Sequence, residues 1–222
     1  MPLSKPPGGY DGSPNRYLLR RGTCLWRVHT RRYPAPGFNP SLADPLYGGA
    51  RFDATAADPY PYYYAGLSEE TALAETLLRD LLPDERGYRP VPRAAVTGRR
   101  LSGLTLTRDL DMVNLVDAED LAAIGQDAWL VTAPGHDYPQ TRDWARWLRG
   151  QAPWAHGLIW DSLRGRGGLA VVLFGDRLAV GWAVSESMAM LRATAPGGRH
   201  GPRAGAGPAD RRPWPCQLSF LR

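Results

Sequence analysis

The segment from Ser68 to Leu82 has its apolar residues spaced as in an α-helix. On a helical projection they form one broad arc, which consists of Leu73, Ala74, Leu77, Leu78, Leu81 and Leu82. Ser68 is a suitable N-cap, and the two glutamates that follow it favour the positive end of the helix dipole. The pattern therefore predicts a helix from about Ser68 to Leu82. Glu75 lies at the margin of its apolar arc.

Short apolar or alternating runs predict several β-strands. They are Thr23–His29, Ala50–Phe52, a run that ends at Tyr64, two runs within Arg99–Asp117, His156–Ser162 and Gly167–Asp176. Further helices are predicted at Asp117–Gly125 and Thr141–Gln151. Because the strands outnumber the helices and do not alternate strictly with them, the predicted fold class is α+β rather than a doubly wound sheet.

The two ends of the chain differ in composition from its middle. Residues 1 to 18 are rich in Pro and Gly and are expected to form a flexible arm. Residues 191 to 222 are rich in Gly, Pro and Arg and are expected to form a disordered basic tail. The ordered domain is then residues 19 to 190, a typical size for a single domain.

The basic residues of the chain are almost all arginine. The formal net charge is +5, and Lys5 is the only lysine among 27 basic residues. Arginine suits phosphate and carboxylate recognition because its planar guanidinium bonds these groups in a bidentate way. A general compositional preference for arginine gives the same excess, so the charge points to an anionic partner without identifying one.

The sequence gives no support for a metal site or a membrane segment. Cys24 and Cys216 are far apart and the four histidines are scattered, so the spacing of a metal site is absent. No apolar run approaches a membrane span, and the N-terminal segment lacks the hydrophobic stretch of a signal peptide. We therefore expect a cytoplasmic protein with no bound metal. Neither a Rossmann-type G-x-G-x-x-G nor a P-loop motif is present.

Two charged residues lie in unusual positions and each has two interpretations. Arg27 lies among apolar residues of a predicted strand. If its side chain points inward it needs an anion or several acceptors, because an unpaired buried charge is costly, whereas on an edge strand it would face water. Glu75 either forms an exposed pair with Arg79, one helical turn further on, or borders a functional site.

Three further residues are candidates for a site. Gly48 and Gly49 precede Arg51 and allow the backbone to turn sharply. Tyr64 ends a predicted strand just before the helix, where it either packs in the core or borders a ligand. Ser162 ends an apolar strand, where a serine is either a turn residue or a binding residue. No G-x-S-x-G surrounds it, which argues against a hydrolase nucleophile.

The order of these features resembles the RES domain family, which is named for its Arg, Glu and Ser. The resemblance is carried by an arginine on an early strand, a Gly-Gly-x-Arg-aromatic turn, the segment YAGLSEETALAE and a serine after a late strand. The residues that correspond to the family's three are Arg27, Glu75 and Ser162, with Arg51 and Tyr64 as supporting matches.

The resemblance covers roughly residues 25 to 176 and implies an ADP-ribosyltransferase-like fold with mixed, mainly antiparallel sheets and peripheral helices. Many members have a Gly-Arg-Trp-Asn type turn where this chain has GGARFD. The resemblance also implies that NAD is bound as a substrate and not as a redox cofactor. Characterised members are toxins that deplete NAD by phosphorolysis or hydrolysis, so the implied partners are NAD, inorganic phosphate as a co-substrate, and a cognate Xre-type antitoxin.

The expected chemistry needs only one carboxylate. Cleavage of the bond between nicotinamide and ribose releases a neutral pyridine, so no general acid is required, and a carboxylate such as Glu75 can stabilise the oxocarbenium-like centre. In this scheme Arg27 clamps the diphosphate, and Arg51 assists it or receives inorganic phosphate. Tyr64 stacks near nicotinamide, and Ser162 bonds to the nicotinamide ribose or to an incoming phosphate.

Three other functions are compatible with the same residues. A mono-ADP-ribosyltransferase would use the same cleft to modify a macromolecule. A nucleic-acid-binding module would use the basic tail, but the arginines there lack interleaved aromatic residues until Trp214, so nucleic acid is not favoured as a partner. A domain that binds NAD without turnover is the third, and the presence of Arg27, Glu75 and Ser162 argues against it.

Overall fold

The computed structural model describes residues 4–10, 12–79, 81–163 and 167–190. The tail expected from residue 191 onward lies outside these residues. The described part is built on one eight-stranded sheet. Its strands are β1 (Arg16–Leu19), β2 (Cys24–Thr30), β3 (Tyr62–Gly66), β4 (Arg99–Leu106), β5 (Leu110–Leu115), β6 (Gly157–Asp161), β7 (Leu169–Phe174) and β8 (Ala183–Met190).

The sheet is mixed and mainly antiparallel, as predicted. Its strand order is β1-β5-β6-β7-β3-β2-β4-β8. Strands β5 and β6 run parallel, and the other neighbouring strands run antiparallel. Parallel neighbours need a long crossover connection, and the helices between β5 and β6 provide it.

The helices lie around this sheet. They are α1 (Glu69–Leu73), α2 (Arg93–Val96), α3 (Ala118–Ala123), α4 (Trp129–Thr132) and α5 (Tyr138–Gln151), with a π-helical segment at Ala74–Leu78 and 3₁₀ turns at Gly135–Asp137 and Gly175–Arg177. The α+β prediction is confirmed. Among the described residues, no helix combines the length and the apolar character that a bilayer span requires.

Hydrophobic residues cover both faces of the sheet. On one face, Trp144 and Leu148 of α5 belong to the same buried cluster as Val172 of β7. On the other face, Val171 of β7 packs in a second cluster that includes Leu25 of β2. Neighbouring residues of β7 fall into different clusters because side chains alternate between the two faces of a strand. The continuous apolar run of this strand therefore follows from burial on both sides.

The helix predicted for Ser68–Leu82 is shorter than expected. Ser68 caps it as predicted, and its Oγ accepts a hydrogen bond from the Thr71 backbone N–H at 3.1 Å. Helix α1 ends at Leu73, and the chain continues as a π turn over Ala74–Leu78. A π turn closes its hydrogen bonds one residue later than an α turn, so it rotates the residues that follow. The apolar arc is not buried along its full length, and Leu82 is 79% exposed.

Two other segments fold differently from their predictions. Ala50–Phe52 is part of a turn rather than a strand, and the backbone N–H of Phe52 donates to the Tyr64 hydroxyl instead of to a neighbouring strand. The expected N-terminal arm is partly docked, because Arg16–Leu19 pairs with β5. The Tyr10 ring, in the same arm, contacts the Trp147 ring at 4.8 Å between centroids.

Strands β2 and β3 diverge soon after they meet. Within the described chain their paired residues are Trp26 and Gly66 alone, whereas β2 pairs with β4 along all seven of its residues. At the other end of β3, Asn39 takes the position that β2 would occupy. Asn39 and Tyr62 exchange two backbone hydrogen bonds, of 2.8 and 2.9 Å. The sheet is therefore open between these two points, beside the middle of β3.

Gly66 allows α1 to pack closely on the end of β3. A Cβ atom at this position would lie 2.6 Å from the backbone nitrogen of Ala72 and 2.8 Å from the Cβ of Thr71. Both of these helix residues are buried. The helix that leads to Glu75 is thus held against the strand by the absence of a side chain at position 66.

We expect Gly66→Ala to destabilise the protein by about 1–3 kcal/mol, because the added methyl group overlaps backbone atoms that cannot move independently. Urea unfolding monitored by tryptophan fluorescence measures the change. Gly150→Ala is the matched control, because a Cβ there meets open space near the end of α5 and removes the helix penalty of glycine. A Gly66→Ala variant as stable as the parent protein would contradict the close packing.

Candidate active site

A cavity of about 300 Å³ lies at the opening between β2 and β3. Its described walls come from β2, β3, the start of β4, the α1–π segment, the loop that contains Asn39, the turn that contains Arg51, and the β6–β7 pair. The lining residues are Trp26, Arg27, Val28, Asn39, Arg51, Tyr62, Tyr64, Ala65, Ala72, Glu75, Thr76, Arg79, Arg99, Trp160 and Ala170. Four of the five residues predicted for the site, Arg27, Arg51, Tyr64 and Glu75, are among them.

Glu75 projects from the π segment into this cavity. Ser162, the fifth predicted residue, follows directly after β6 and is 2% exposed. Its Oγ donates a hydrogen bond of 2.6 Å to Oε1 of Glu75. A hydroxyl-to-carboxylate bond of this length is charge-assisted and strong, so it fixes the carboxylate in one orientation. Ser162 therefore contacts Glu75 directly, a pairing that local sequence patterns do not predict.

The turn before Arg51 has the backbone that the sequence predicted. Gly48 and Gly49 have φ angles of 63° and 72°, in the left-handed region that favours glycine. The buried side chain of Arg142, from α5, holds this turn by donating to the backbone carbonyls of Asp44 (2.6 Å), Gly48 and Ala50 (3.1 Å). Helix α5 thus fixes the segment that leads into Arg51.

Arg51 is a buried cation at the Glu75 side of the cavity. It is 7% exposed, and one Nη donates to the carbonyl of Ala133 at a long 3.3 Å. Its Nε has no hydrogen-bond partner among the described residues. Burial lowers the pKa of Arg51, and the negative charge of Glu75 acts in the opposite direction. Arg51 is therefore a guanidinium with unused hydrogen-bonding capacity beside the site's carboxylate.

The Arg27 side chain projects from one face of β2, and the side chains that contact α1 project from the other face. Trp26 and Val28 pack with Ala72 of α1 in one cluster. Because side chains alternate along a strand, Arg27 points to the other face. It nevertheless lines the cavity, since the cavity lies where the sheet is open beside β2.

The guanidinium of Arg27 is held by neutral groups. It donates to the backbone carbonyls of Ala35 (3.3 Å) and Gly37, and its Cζ lies 4.3 Å from the centre of the Tyr63 ring. Burial lowers the pKa of Arg27. Arg27 and Glu75 line the same cavity, and the negative charge of Glu75 also raises the pKa of Arg51 against the larger lowering by burial.

Tyr64 links the turn and the cavity. Its hydroxyl accepts a hydrogen bond of 3.0 Å from the backbone N–H of Phe52, the residue after Arg51. Its ring meets the rings of Tyr62 and Trp160 at centroid distances of 5.7 and 6.3 Å. Burial raises the pKa of Tyr64 well above its usual value, so the hydroxyl stays protonated. Tyr64 therefore braces the Arg51 turn and forms part of an aromatic wall.

Several residues that line the cavity were not predicted. Arg79 was considered only as a surface partner of Glu75, although its i+4 spacing already placed it on the same helical face. Arg99 and Trp160 lie on β4 and β6, far from the other motifs in sequence, and no local pattern marked them. The described lining holds four arginines and one carboxylate, so it has the electrostatics of an anion-binding site.

Side chains that commonly bind metals are sparse among the described residues around the cavity. Within the described ranges, no three His, Cys, Asp or Glu side chains converge as a metal-binding group would require. The described lining supplies one oriented carboxylate, guanidinium groups, hydroxyls and aromatic rings.

We expect Arg142→Leu to lower the free energy of unfolding by about 2–4 kcal/mol, because three backbone carbonyls lose their donor. Thermal and urea unfolding measure the loss. Arg146→Leu, one turn further along α5 and exposed, is the matched control and should change stability by less than about 0.5 kcal/mol. Equal effects of the two substitutions would show that Arg142 does not hold the turn.

Known proteins resemble this chain in fold and in sequence family. A chain of the crystal structure of the M. tuberculosis MbcT–MbcA toxin–antitoxin complex superposes with a TM-score of 0.56 at 14% identity, covering 79% of this chain and 87% of that chain. No curated protein is detectably similar in sequence. The sequence matches the RES domain over residues 24–195, which is most of the chain and extends beyond the resemblance noted from the motifs. The chain therefore belongs to the RES domain family.

Proposed function

We propose that this protein cleaves the nicotinamide–ribose bond of NAD, with inorganic phosphate or water as the acceptor. The observation that carries the proposal is a single carboxylate, Glu75, oriented by Ser162 in a cavity whose other charged walls are arginines. A dinucleotide has the matching features, because its cationic nicotinamide ribose needs one negative group and its diphosphate needs positive ones. NAD is a substrate in this proposal and is not regenerated.

Glu75 would act on the reacting sugar. As the C–N bond breaks, nicotinamide leaves with the bonding electron pair as a neutral molecule, and positive charge develops at the ribose C1. A carboxylate fixed next to that carbon lowers the barrier by electrostatic stabilisation. The hydrogen bond from Ser162 supports this role, because a fixed carboxylate needs no reorganisation during the reaction.

The arginines would bind the phosphate groups. Arg51, Arg79 and Arg99 line the cavity, and Arg51 retains an Nε without a hydrogen-bond partner among the described residues. Arg27, at the edge of the same cavity, can contribute to the diphosphate from the other side of β2. Guanidinium groups suit this purpose because they bond phosphate oxygens in pairs.

The acceptor would be a small nucleophile. With phosphate, an oxygen of the dianion forms the new bond to ribose C1 and no base is needed. With water, a proton must be removed as the bond forms, and Glu75 is the base available within the cavity. The cavity volume of about 300 Å³ is at the low end of small-molecule sites and suits one nucleotide half of NAD, with the other half extending along the arginine-lined side.

The same family relationship supports the proposal of a regulatory partner. The structural relative described above comes from a toxin–antitoxin complex. We propose that this chain is likewise the toxin component and that an antitoxin protein, of the Xre type, controls it. Consumption of NAD by an unregulated enzyme would be harmful to the cell that makes it, which gives a reason for such a partner.

Glu75→Gln should lower the rate of NAD consumption by about a hundredfold or more, because the amide keeps an acceptor for Ser162 but carries no charge. Nicotinamide release from purified protein measures the rate, and circular dichroism checks the fold. Glu70→Gln is the matched control, since Glu70 is an exposed carboxylate of the same helix outside the cavity. Unchanged turnover in Glu75→Gln would remove Glu75 from the mechanism.

Mass analysis of the products with and without inorganic phosphate should identify the acceptor. Phosphorolysis yields ADP-ribose phosphate only when phosphate is present, whereas hydrolysis yields ADP-ribose in both conditions. Adenine-labelled NAD separates these outcomes from transfer to a macromolecule, since a transferase would leave label on protein or nucleic acid. Absence of nicotinamide release under all conditions would overturn the proposed function.

A further inference from the structure

Tyr138 lies next to the site without lining the cavity. It is the first residue of α5 and is 4% exposed. The Cζ of Arg51 lies 5.6 Å from the centre of its ring, and the Cζ of Arg79 lies 5.7 Å from the same centre. Two guanidinium groups from distant parts of the chain therefore share one aromatic ring, within the range of cation–π attraction.

These two arginines would otherwise repel each other. Burial lowers the pKa of Arg51, and the positive charge of Arg79 lowers it further. Both side chains line the cavity on the side of Glu75, whose carboxylate already accepts a bond from Ser162. The Tyr138 ring lies near both guanidinium groups, and an aromatic face attracts cations without cancelling their charge.

The backbone around Tyr138 strengthens the connection to Arg51. Thr141, one turn further along α5, donates from its Oγ1 to the carbonyl of Arg51 at 2.7 Å. The same hydroxyl lies 3.1 Å from the carbonyl of Tyr138. The first turn of α5 thus holds Arg51 twice, by its main chain through Thr141 and by its guanidinium through the Tyr138 ring.

We infer that the ring of Tyr138 is a positioning group that presents Arg51 and Arg79 together, as one subsite for a phosphate-class anion, at the Glu75 side of the cavity. The inference rests on the proposed function for the identity of the ligand, which would be the diphosphate of NAD or an acceptor phosphate. It assigns a role to the ring and none to the hydroxyl.

The alternative is that Tyr138 is only a packing residue. A buried aromatic side chain stabilises a fold by its apolar area alone, and its loss would then lower stability without changing ligand affinity. The two roles differ in what they require from position 138. A positioning role requires an aromatic face, whereas packing requires volume.

The test compares Tyr138→Phe, which keeps the ring, with Tyr138→Leu, which removes it. Calorimetric titration with ADP-ribose and with inorganic phosphate gives affinities that do not depend on turnover. We expect Tyr138→Phe to bind both probes within about twofold of the parent protein, and Tyr138→Leu to bind at least one of them about 5- to 30-fold more weakly. If Tyr138→Leu does not fold, Tyr138→Met provides a second side chain without a ring.

Trp154→Leu is the control for loss of an arginine-stacked ring elsewhere. Trp154 lies under Arg16, 3.9 Å from its Cζ to the ring centre, and does not line the cavity. This variant should keep the parent affinities even where its melting temperature falls.

Each outcome decides the inference. The inference would be overturned if folded Tyr138→Leu or Tyr138→Met bound both probes as tightly as the parent protein. It would also be overturned if Tyr138→Phe weakened binding as much as Tyr138→Leu. A parent protein that binds phosphate but not ADP-ribose would count against the proposed function, while the phosphate affinities would still test Tyr138. A parent protein that binds neither probe would overturn both.

Discussion

The opening between β2 and β3 is the constraint on which the rest of the site depends. Two antiparallel neighbours normally pair along their whole length, because unpaired backbone groups in a sheet are costly. Here the strands meet at Trp26 and Gly66, and Asn39 takes up the pairing at the far end of β3. The backbone cost of separating the strands is thus reduced at both ends, and the space between them is left for side chains. A cavity can form within the sheet without a break in the fold.

The buried arginines of this protein are held in two ways, by carboxylates or by neutral acceptors. Arg149 is held by two carboxylates, Asp58 at 2.9 Å and Asp176 at 2.8 Å, which neutralise it. Arg27 and Arg51 are held instead by backbone carbonyls and aromatic rings. Neutral acceptors solvate a buried guanidinium but leave its charge in place, so the cavity keeps a positive potential that an anion can satisfy. The carboxylate partners of Arg149 neutralise it, whereas Arg27 and Arg51 keep their charge at the cavity.

The sequence predicts the parts of this protein that depend on local patterns. The glycine turn before Arg51 and the cap of α1 follow from backbone preferences of single residues, and the family motif identifies Glu75. The bond between Ser162 and Glu75 joins positions 87 residues apart, and Tyr138 meets Arg51 only through the packing of α5. Such contacts depend on the topology of the sheet rather than on spacing along the chain. The sequence also does not predict where α1 ends. Apolar residues continue at helical spacing past Leu73, where the hydrogen bonding changes from α to π.

The π segment has a consequence for how the family's helix should be compared between proteins. One π turn contains about one residue more than an α turn, so a continuous α-helix would present the same faces before and after this segment with one residue fewer. If Ala74–Leu78 formed a regular α-helix with the same residues, Arg79 would be rotated by about 100° relative to α1. The spacing between the carboxylate and the residues of the preceding helix is therefore part of the site, in the same sense as the identity of its side chains.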